Sequence, residues 1–182
     1  MLKSNDTIIA LSTPSVTSAL AIVRVSGPSS MYILEKVSGL IPQERYATYR
    51  TLLDKDGNAF DQGIVFYFKK PCSFTGEDQA EFQIHGGLGV IEVLMESCLA
   101  CSSSKNIVRF ADAGEFSKRA FLNGKIDLLK AEAIADLINA SSKNLVKAIN
   151  NIMSGKLGED INSLAETIFN IRTKVEAEID FS

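Results

Sequence analysis

The stretch QAEFQIHGGLGVIEVLMESCLAC spans residues 79–101, and its hydrophobic period changes from that of a strand to that of a helix. Apolar and polar residues alternate from Gln79 to Ile84, which predicts a strand with one apolar face. After Gly86 and Gly87 the apolar residues recur at helical spacing, which predicts a helix over residues 88–101. A strand that leads directly into a helix, each with one apolar face, indicates a sheet covered by helices.

The same mixture of strand and helix patterns extends through the first 120 residues. Runs rich in β-branched and apolar residues predict further strands at Asp6–Leu11, Ser18–Val25, Tyr49–Leu53, Gly63–Phe68 and Ile107–Phe110. Helical patterns cover Ser30–Ser38 and Gly114–Leu122. Residues 54–58, Asp-Lys-Asp-Gly-Asn, suit the turn of a hairpin. We therefore expect an α+β domain, a mixed sheet with helices, over residues 1–120.

Residues 121–182 have a purely helical pattern and predict the start of a second, helical domain. Asp127 can cap a helix that runs to about Ala140, and Ser141 or Ser142 can cap the next one. Apolar residues then recur at 157, 161, 164, 168, 171 and 175, a spacing typical of a helix-packing surface. Gly155 and Gly158 lie just before it and predict a break or a close helix–helix approach. The pattern is still open at Ser182, so we expect a fragment, or a chain whose apolar helix is covered by another chain.

Composition excludes several classes of protein. The formal net charge is −3, which disfavours broad, sequence-independent binding of nucleic acid. No apolar run reaches the roughly 20 residues of a membrane span, and the first residues do not resemble a secretory signal. Three cysteines do not form a disulfide framework, so a cytoplasmic location is expected.

Cys98 and Cys101 form a C-x-x-C motif at the far end of the predicted helix. A redox pair normally lies at a helix amino terminus, where the helix dipole stabilises the thiolate. A zinc site normally needs four ligands, and only Cys72 and His85 remain to supply them. We therefore expect two core cysteines and no metal site.

The polar face of the strand at residues 79–85 is a candidate ligand site. Glu81, Gln83 and His85 share that face, and the strand ends at Gly86 and Gly87, where a ligand could approach the backbone. The alternative is an ordinary half-exposed strand. His85 has no evident nucleophile beside it, so a hydrogen-bonding role in a pocket is favoured over a general base, and no catalytic residue is assigned.

Arg24 and Lys125 are the candidate cations. Arg24 lies in an apolar strand, and a buried guanidinium needs either a carboxylate, such as Glu81, or an anionic ligand. Both interpretations stay open. Lys125 follows Asn123-Gly124 at the joint between the two regions, and on composition alone it is a solvated loop lysine.

The sequence contains no G-x-x-x-x-G-K-[ST] and no G-x-G-x-x-G motif. Ser154-Gly155-Lys156 lies in a helical pattern without the strand and the spaced first glycine of a phosphate-binding loop. We therefore expect that this chain does not hydrolyse GTP by itself.

Several segments resemble the MnmE/TrmE family of tRNA-modification GTPases, and together they span nearly the whole chain. They are Asp6–Ala10 with Thr13-Pro14, Ile22–Gly27 (IVRVSG), Ser73–Gly87 (SFTGEDQAEFQIHGG), Ala113–Ile138 (AGEFSKRAFLNGKIDLLKAEAIADLI) and Val175–Phe181 (VEAEIDF). The resemblance implies an amino-terminal domain similar to the tetrahydrofolate-binding domains of aminomethyltransferases. It also implies that this domain forms a homodimer and binds 5-formyl- or 5,10-methylene-tetrahydrofolate as a one-carbon donor. The family's folate contacts correspond to Arg24, Glu81 and Lys125.

For the intact protein, the resemblance implies a GTPase domain that this chain lacks, which uses GTP, potassium and magnesium. It implies action with the flavoprotein MnmG (GidA) on carbon 5 of the wobble uridine of tRNA. One departure concerns residues 15–19, Ser-Val-Thr-Ser-Ala, where the family has a glycine-rich stretch with an arginine. This departure motivates one alternative, a dimerisation scaffold without folate binding. A free-standing folate-dependent aminomethyl transferase is a separate alternative.

Overall fold

The computed structural model describes residues 6–180, which divide after Lys125 into two compact units. The first unit contains a six-stranded mixed sheet. Its strands are β1 (Thr7–Leu11), β2 (Ser18–Ser26), β3 (Thr48–Leu53), β4 (Ala59–Phe68), β5 (Gln79–Gly86) and β6 (Val108–Phe110). The spatial order is β3-β4-β5-β2-β1-β6, and β6 runs parallel to β1, whereas the other neighbours are antiparallel. The predicted α+β fold is confirmed, although β4 begins four residues before the expected Gly63.

One face of the sheet forms the hydrophobic core. Strand pairing aligns Val65, Phe82 and Val23 across β4, β5 and β2, and all three are fully buried. Two helices cover this face: α1 (Ser30–Ser38) and α2 (Leu88–Ala100). Because side chains alternate along a strand, the residues between the core positions point to the opposite face.

The helices begin and end where their sequences predict. Gly39 adopts a left-handed conformation (φ 75°) directly after α1 and donates its N–H to the Glu35 carbonyl. The third helix of the unit, α3 (Glu115–Leu122), follows β6. Lys125 closes this unit, and its N–H donates to the carbonyl of Ala120.

The second unit consists of α4 (Leu128–Ile138), α5 (Lys143–Met153) and α6 (Lys156–Asp180). The side chains of Asp127 and Ser142 accept hydrogen bonds from the first turns of α4 and α5, as predicted, with Ser142 rather than Ser141 as the second cap. The predicted break lies at Gly155, which has a φ of 82°. Gly158 lies inside α6, so it does not contribute to the break.

The apolar residues of α6 are largely exposed within this chain. Ile161, Leu164, Ile168 and Ile171 expose between 55% and 60% of their surface. The side chain of Leu157 lies outside the described residues. Apolar residues at a regular helical spacing lower the free energy only when they are covered, so this surface has the character of a packing face.

None of the described helices combines the length and apolar character needed to cross a membrane.

A substitution at Gly63 tests how closely β4 and β5 approach each other. A Cβ at this position would lie 2.3 Å from the backbone oxygen of Gln83, which is rigid strand backbone. We expect Gly63→Ala to lower the free energy of unfolding by about 1–3 kcal/mol, measured by denaturant titration. Gly89→Ala on α2 is the control: its Cβ would meet nothing within 4 Å, so that variant should gain about 0.5–1 kcal/mol. Equal effects at both sites would contradict this account.

Candidate ligand-binding site

The sheet face opposite the core carries an ion pair at its centre. The register of β2 and β5 places Arg24 opposite Glu81, and the Arg24 Nε donates to Glu81 Oε1 at 2.9 Å. The Arg24 side chain is 42% exposed, so the buried guanidinium expected from its apolar strand is not observed. Among residues 6–180, this hydrogen bond uses Nε of Arg24 and Oε1 of Glu81. The two terminal nitrogens of Arg24 and Oε2 of Glu81 therefore remain as donors and acceptor toward solvent.

Half-buried apolar side chains flank the pair. On β4, Ile64 lies opposite Gln83 and Phe66 lies opposite Glu81. The rings of Phe66 and Phe68 stack with centroids 6.2 Å apart. A polar row beside a flat apolar strip can hold a planar, hydrogen-bonding ligand, since most ligand sites combine these two elements.

His85 continues the polar row of β5 and pairs with a residue that the sequence did not single out, Asp61 on β4. Asp61 Oδ1 lies 2.7 Å from His85 Nδ1, and Asp61 Oδ2 accepts the backbone N–H of His85 at 3.0 Å. Burial raises the pKa of Asp61, but the hydrogen bonds from His85 outweigh it and the net pKa lies below the usual value. No local pattern marked Asp61, because its partner is 24 residues away.

The two glycines after His85 have different roles. A Cβ on Gly86 would lie 2.3 Å from the Ser18 side-chain oxygen and 2.5 Å from its backbone oxygen, so the pairing of β2 with β5 requires glycine there. Gly87 has ordinary space around it and precedes the first turn of α2. The sequence predicted that a ligand could approach the backbone at Gly86, but Ser18 occupies that space.

Lys125 lies beside the loop of residues 71–78. A Cβ on Gly76 would be 3.1 Å from Lys125 Cγ, so the lysine stem passes directly over this glycine. Asn123 Nδ2 donates to the Thr75 carbonyl at 2.7 Å and fixes the same contact. Within the described part of the chain, the Lys125 ammonium has no ion-pair partner, and it remains available to an anion.

A buried ion network fixes α3 against the edge of the sheet. Arg119 is 5% exposed and contacts three carboxylates: Asp6 at 2.7 Å, Glu115 at 3.0 Å and Glu77 at 3.2 Å. Arg109 on β6 binds Asp6 and Glu115 as well. The Arg109 hydrogen bond is the main reason that the pKa of Glu115 falls to about 2. Sequence periodicity did not reveal this network, because its members come from separate segments.

The network continues into the loop that carries Gly76. Ser26, at the end of β2, donates to Glu77 Oε2 at 2.7 Å and shares a 2.7 Å hydrogen bond with Thr75. Gln79, at the start of β5, accepts the backbone N–H of Phe74. Arg24 lies two residues before Ser26 on β2, and Glu81 lies two residues after Gln79 on β5. The loop and Lys125 thus lie at the end of the strands that carry the central ion pair.

The three cysteines differ in how deeply they are buried. Cys98 is fully buried, and burial raises its pKa far above the usual value, while Cys101 is half-buried with a raised pKa. Cys72 is exposed, and no group of three metal-ligating side chains exists among the described residues. Ser154 ends α5 rather than following a strand, which agrees with the absence of a phosphate-binding loop.

Two family models match the chain, and their limits follow the two structural units. Residues 7–125 match the GTP-binding protein TrmE N-terminus, and residues 128–182 match the MnmE helical domain. This chain belongs to the MnmE/TrmE family. It corresponds to the amino-terminal region of the family's tRNA modification GTPases.

Three similar curated proteins carry the name tRNA modification GTPase MnmE. The tRNA modification GTPase MnmE of Ruthia magnifica is 45% identical over the whole chain and 40% of its own length. That of Vesicomyosocius okutanii is 46% identical with the same coverage. That of Proteus mirabilis is 43% identical over 98% of the chain and 38% of its own length. The chain thus spans about 40% of these relatives.

Removal of the Arg119 guanidinium should strongly destabilise the first unit. We expect Arg119→Met to lower the free energy of unfolding by about 3–5 kcal/mol, because it leaves Glu77 without this cation and leaves Asp6 and Glu115 with Arg109 alone. The matched control is Arg172→Met on α6, whose exposed pair with Glu176 has a similar distance, 2.8 Å, and should change stability by less than about 0.5 kcal/mol. Similar losses in both variants, measured by denaturant titration, would show that burial of the network has no energetic importance.

Acidification should weaken the same network. The pKa of Glu115 in the folded chain, about 2, is lower than its ordinary value of 4.5. Its contribution to stability is therefore complete above about pH 4.5 and is lost as the pH falls toward 2. We expect Glu115→Gln to be less stable than the parent at neutral pH and to lose less stability between pH 5 and pH 2. Parallel stability curves for parent and variant would contradict this assignment.

Proposed function

We propose that this chain is the tetrahydrofolate-binding and homodimerising region of a GTPase that modifies tRNA. The observation that carries the proposal is the Arg24–Glu81 pair, which lies on an accessible sheet face beside half-buried aromatic residues. The ligand is 5-formyl- or 5,10-methylene-tetrahydrofolate, which supplies a one-carbon unit when bound.

The donors and acceptors of the pair suit a folate. A pterin presents a ring N–H beside an exocyclic amine, and a single carboxylate can accept both hydrogen bonds. In the described part of the chain, Oε2 of Glu81 has no side-chain hydrogen bond, so it can accept from the ligand while Oε1 holds Arg24. The strip of Phe66 and Ile64 offers an apolar surface to the ring.

Lys125 and Arg24 supply positive charge for the carboxylates of the folate tail. The Lys125 stem lies over Gly76, at the end of the strands that carry Arg24 and Glu81. A flexible ammonium above a glycine-containing loop can follow a ligand carboxylate without a rearrangement of the sheet. Gln83, His85 and Gly87 extend the proposed pocket in the other direction along β5.

For the intact protein, we propose GTP hydrolysis with potassium and magnesium in a domain that this chain does not contain. Together with the flavoprotein MnmG (GidA), the protein would modify carbon 5 of the wobble uridine of tRNA in the cytoplasm. The support is the identity of more than 40% to proteins described as tRNA modification GTPases.

The second candidate is a dimerisation scaffold without folate binding. The specific observation that favours it is the β1–β2 loop, residues 12–17, where Val16 is exposed in place of a glycine-rich backbone. A free-standing aminomethyl transferase has less support, since residues 128–182 match the helical domain of the GTPase family.

Calorimetric titration with 5-formyltetrahydrofolate tests the folate site. We expect saturable binding to the parent and an affinity at least about tenfold weaker in both Glu81→Gln and Arg24→Ala, because each removes a charged hydrogen-bond partner. The matched controls are Glu96→Gln on α2 and Arg172→Ala on α6, which remove similar charges from surface pairs elsewhere and should bind as the parent does. Equal weakening in the controls, or unchanged affinity in both site variants, would refute the assignment.

Light scattering after size exclusion tests the dimer. We expect a mass of twice the 19.8 kDa of one chain. A folded dimer that does not bind folate would favour the scaffold, and a folded monomer would contradict homodimerisation by this chain.

A further inference from the structure

Arg45 adopts a backbone conformation that residues other than glycine rarely adopt. Its φ is 61°, and among residues 6–180 it is the single non-glycine residue with a positive φ. It occupies the third position of a turn in which the Tyr46 N–H donates to the Gln43 carbonyl at 3.1 Å. Glycine or asparagine is usual at a turn position with positive φ. An arginine there costs free energy, and strain of this kind is concentrated at functional sites, where surrounding contacts maintain it.

Contacts to β4 and to the loop after it hold the arginine in this conformation. The backbone N–H of Arg45 donates to the Tyr67 carbonyl at 2.8 Å. The guanidinium lies over the Phe68 ring, with Cζ 5.9 Å from the ring centroid, and Nη2 donates to the Cys72 carbonyl. The side chain therefore has a defined position beside the loop of residues 71–78.

The guanidinium lies at the end of the aromatic strip on the sheet face that carries the central ion pair. Phe66 and Phe68 point to the same side of β4, because side chains alternate along a strand, and their rings stack. Phe66 lies opposite Glu81, and Phe68 lies opposite Gln79, where β5 begins. The strip thus leads from Glu81 toward the loop next to which Lys125 lies, and Arg45 is at that end.

The guanidinium of Arg45 retains donors for an anion. Its side chain is 58% exposed, and the neighbouring carboxylate of Glu44 is 3.8 Å away and exposed as well, so this pair is weak. Within the described part of the chain, Nη2 donates to the Cys72 carbonyl, while Nε and Nη1 make no hydrogen bond. These groups can donate charge-assisted hydrogen bonds to a ligand carboxylate.

We propose that Arg45 binds a carboxylate of the glutamate tail of the ligand, and that the site therefore selects folates with a charged tail. The inference rests on the proposed folate site. In 5-formyltetrahydrofolate, an aminobenzoyl ring joins the pterin to the glutamate. With the pterin on Glu81 and beside Phe66, the aminobenzoyl ring extends toward Phe68 and the glutamate toward Arg45. The glutamate has two carboxylates, and Lys125 supplies a further cation at the same end of the strands.

Calorimetric titration with two matched ligands tests the contact. One is 5-formyltetrahydrofolate, and the other is its α,γ-diamide, in which both tail carboxylates are uncharged amides of similar shape. We expect the parent to bind the folate at least about tenfold more tightly than the diamide. Arg45→Met should bind the folate at least about tenfold more weakly than the parent does, yet bind the diamide within about twofold of the parent.

The matched control is Arg50→Met on β3. Arg50 also donates from its guanidinium to a backbone carbonyl, that of Ser38 at 3.2 Å, but it lies beside α1 on the helix side of the sheet. This variant should bind both ligands as the parent does. A loss of affinity in Arg45→Met that is equal for the folate and the diamide would indicate a purely structural role and overturn the proposal.

Two further variants separate the charge of Arg45 from its backbone conformation. Arg45→Lys keeps the charge without the planar guanidinium and should recover part of the preference for the folate over the diamide. Arg45→Gly should lose that preference as Arg45→Met does, but unfold at a higher denaturant concentration than Arg45→Met, because glycine adopts a φ of 61° without a penalty from Cβ. A glycine variant that unfolds no later than the methionine variant would overturn the strained geometry from which the proposal starts.

The same titrations distinguish failure of this inference from failure of the proposed function. If the parent binds the folate and Arg45→Met keeps the full preference for it over the diamide, the inference is wrong and the folate site remains. If the folded parent binds neither ligand, the proposed folate site is wrong, and the role of Arg45 is refuted with it.

Discussion

The buried guanidinium of Arg119 is the contact on which the arrangement of the first unit depends. A cation that is 5% exposed would be unfavourable without partners, and this one is surrounded by the carboxylates of Asp6, Glu77 and Glu115. Asp6 directly precedes β1, Glu77 lies in the loop before β5, and Glu115 is the first residue of α3. The network therefore requires these segments to be in place together, and it resists local rearrangement of any one of them.

The position of the candidate site follows from this constraint. Glu77 accepts a hydrogen bond from Ser26 at the end of β2, and Asn123 binds the Thr75 carbonyl, so Lys125 is held next to the loop around Gly76. Strands β2 and β5 leave the same region with Arg24 opposite Glu81. A rigid ion network at one end of the strands thus supports a more exposed ion pair whose remaining donors and acceptors face solvent. This division suits a binding site, because the support can be rigid while the ligand groups stay accessible.

The two faces of the sheet have different roles because side chains alternate along each strand. Alternate residues of β5 point to opposite sides, so Phe82 and Ile84 pack under the helices, while Glu81, Gln83 and His85 form the more polar row. The helical unit shows a corresponding separation along α6, where apolar residues at regular spacing are exposed within this chain. In both units, a local repeat determines which residues are available for contact.

The sequence alone determined the order and approximate bounds of the strands and helices, the cap at Asp127, the α+β class and the family, and it left Ser141 and Ser142 as alternatives for the second cap. These features depend on residues two to four positions apart, or on contiguous motifs such as residues 73–87. The row of Glu81, Gln83 and His85 was predictable for the same reason. Only the tertiary structure decided that Arg24 pairs with Glu81, 57 residues away, that Asp61 holds His85, and that Arg109 and Arg119 meet Asp6 across more than 100 residues. It also showed that the space at Gly86 belongs to Ser18. Such contacts depend on strand register and helix docking, and the free energy that selects them comes from burial of the whole core rather than from any local repeat.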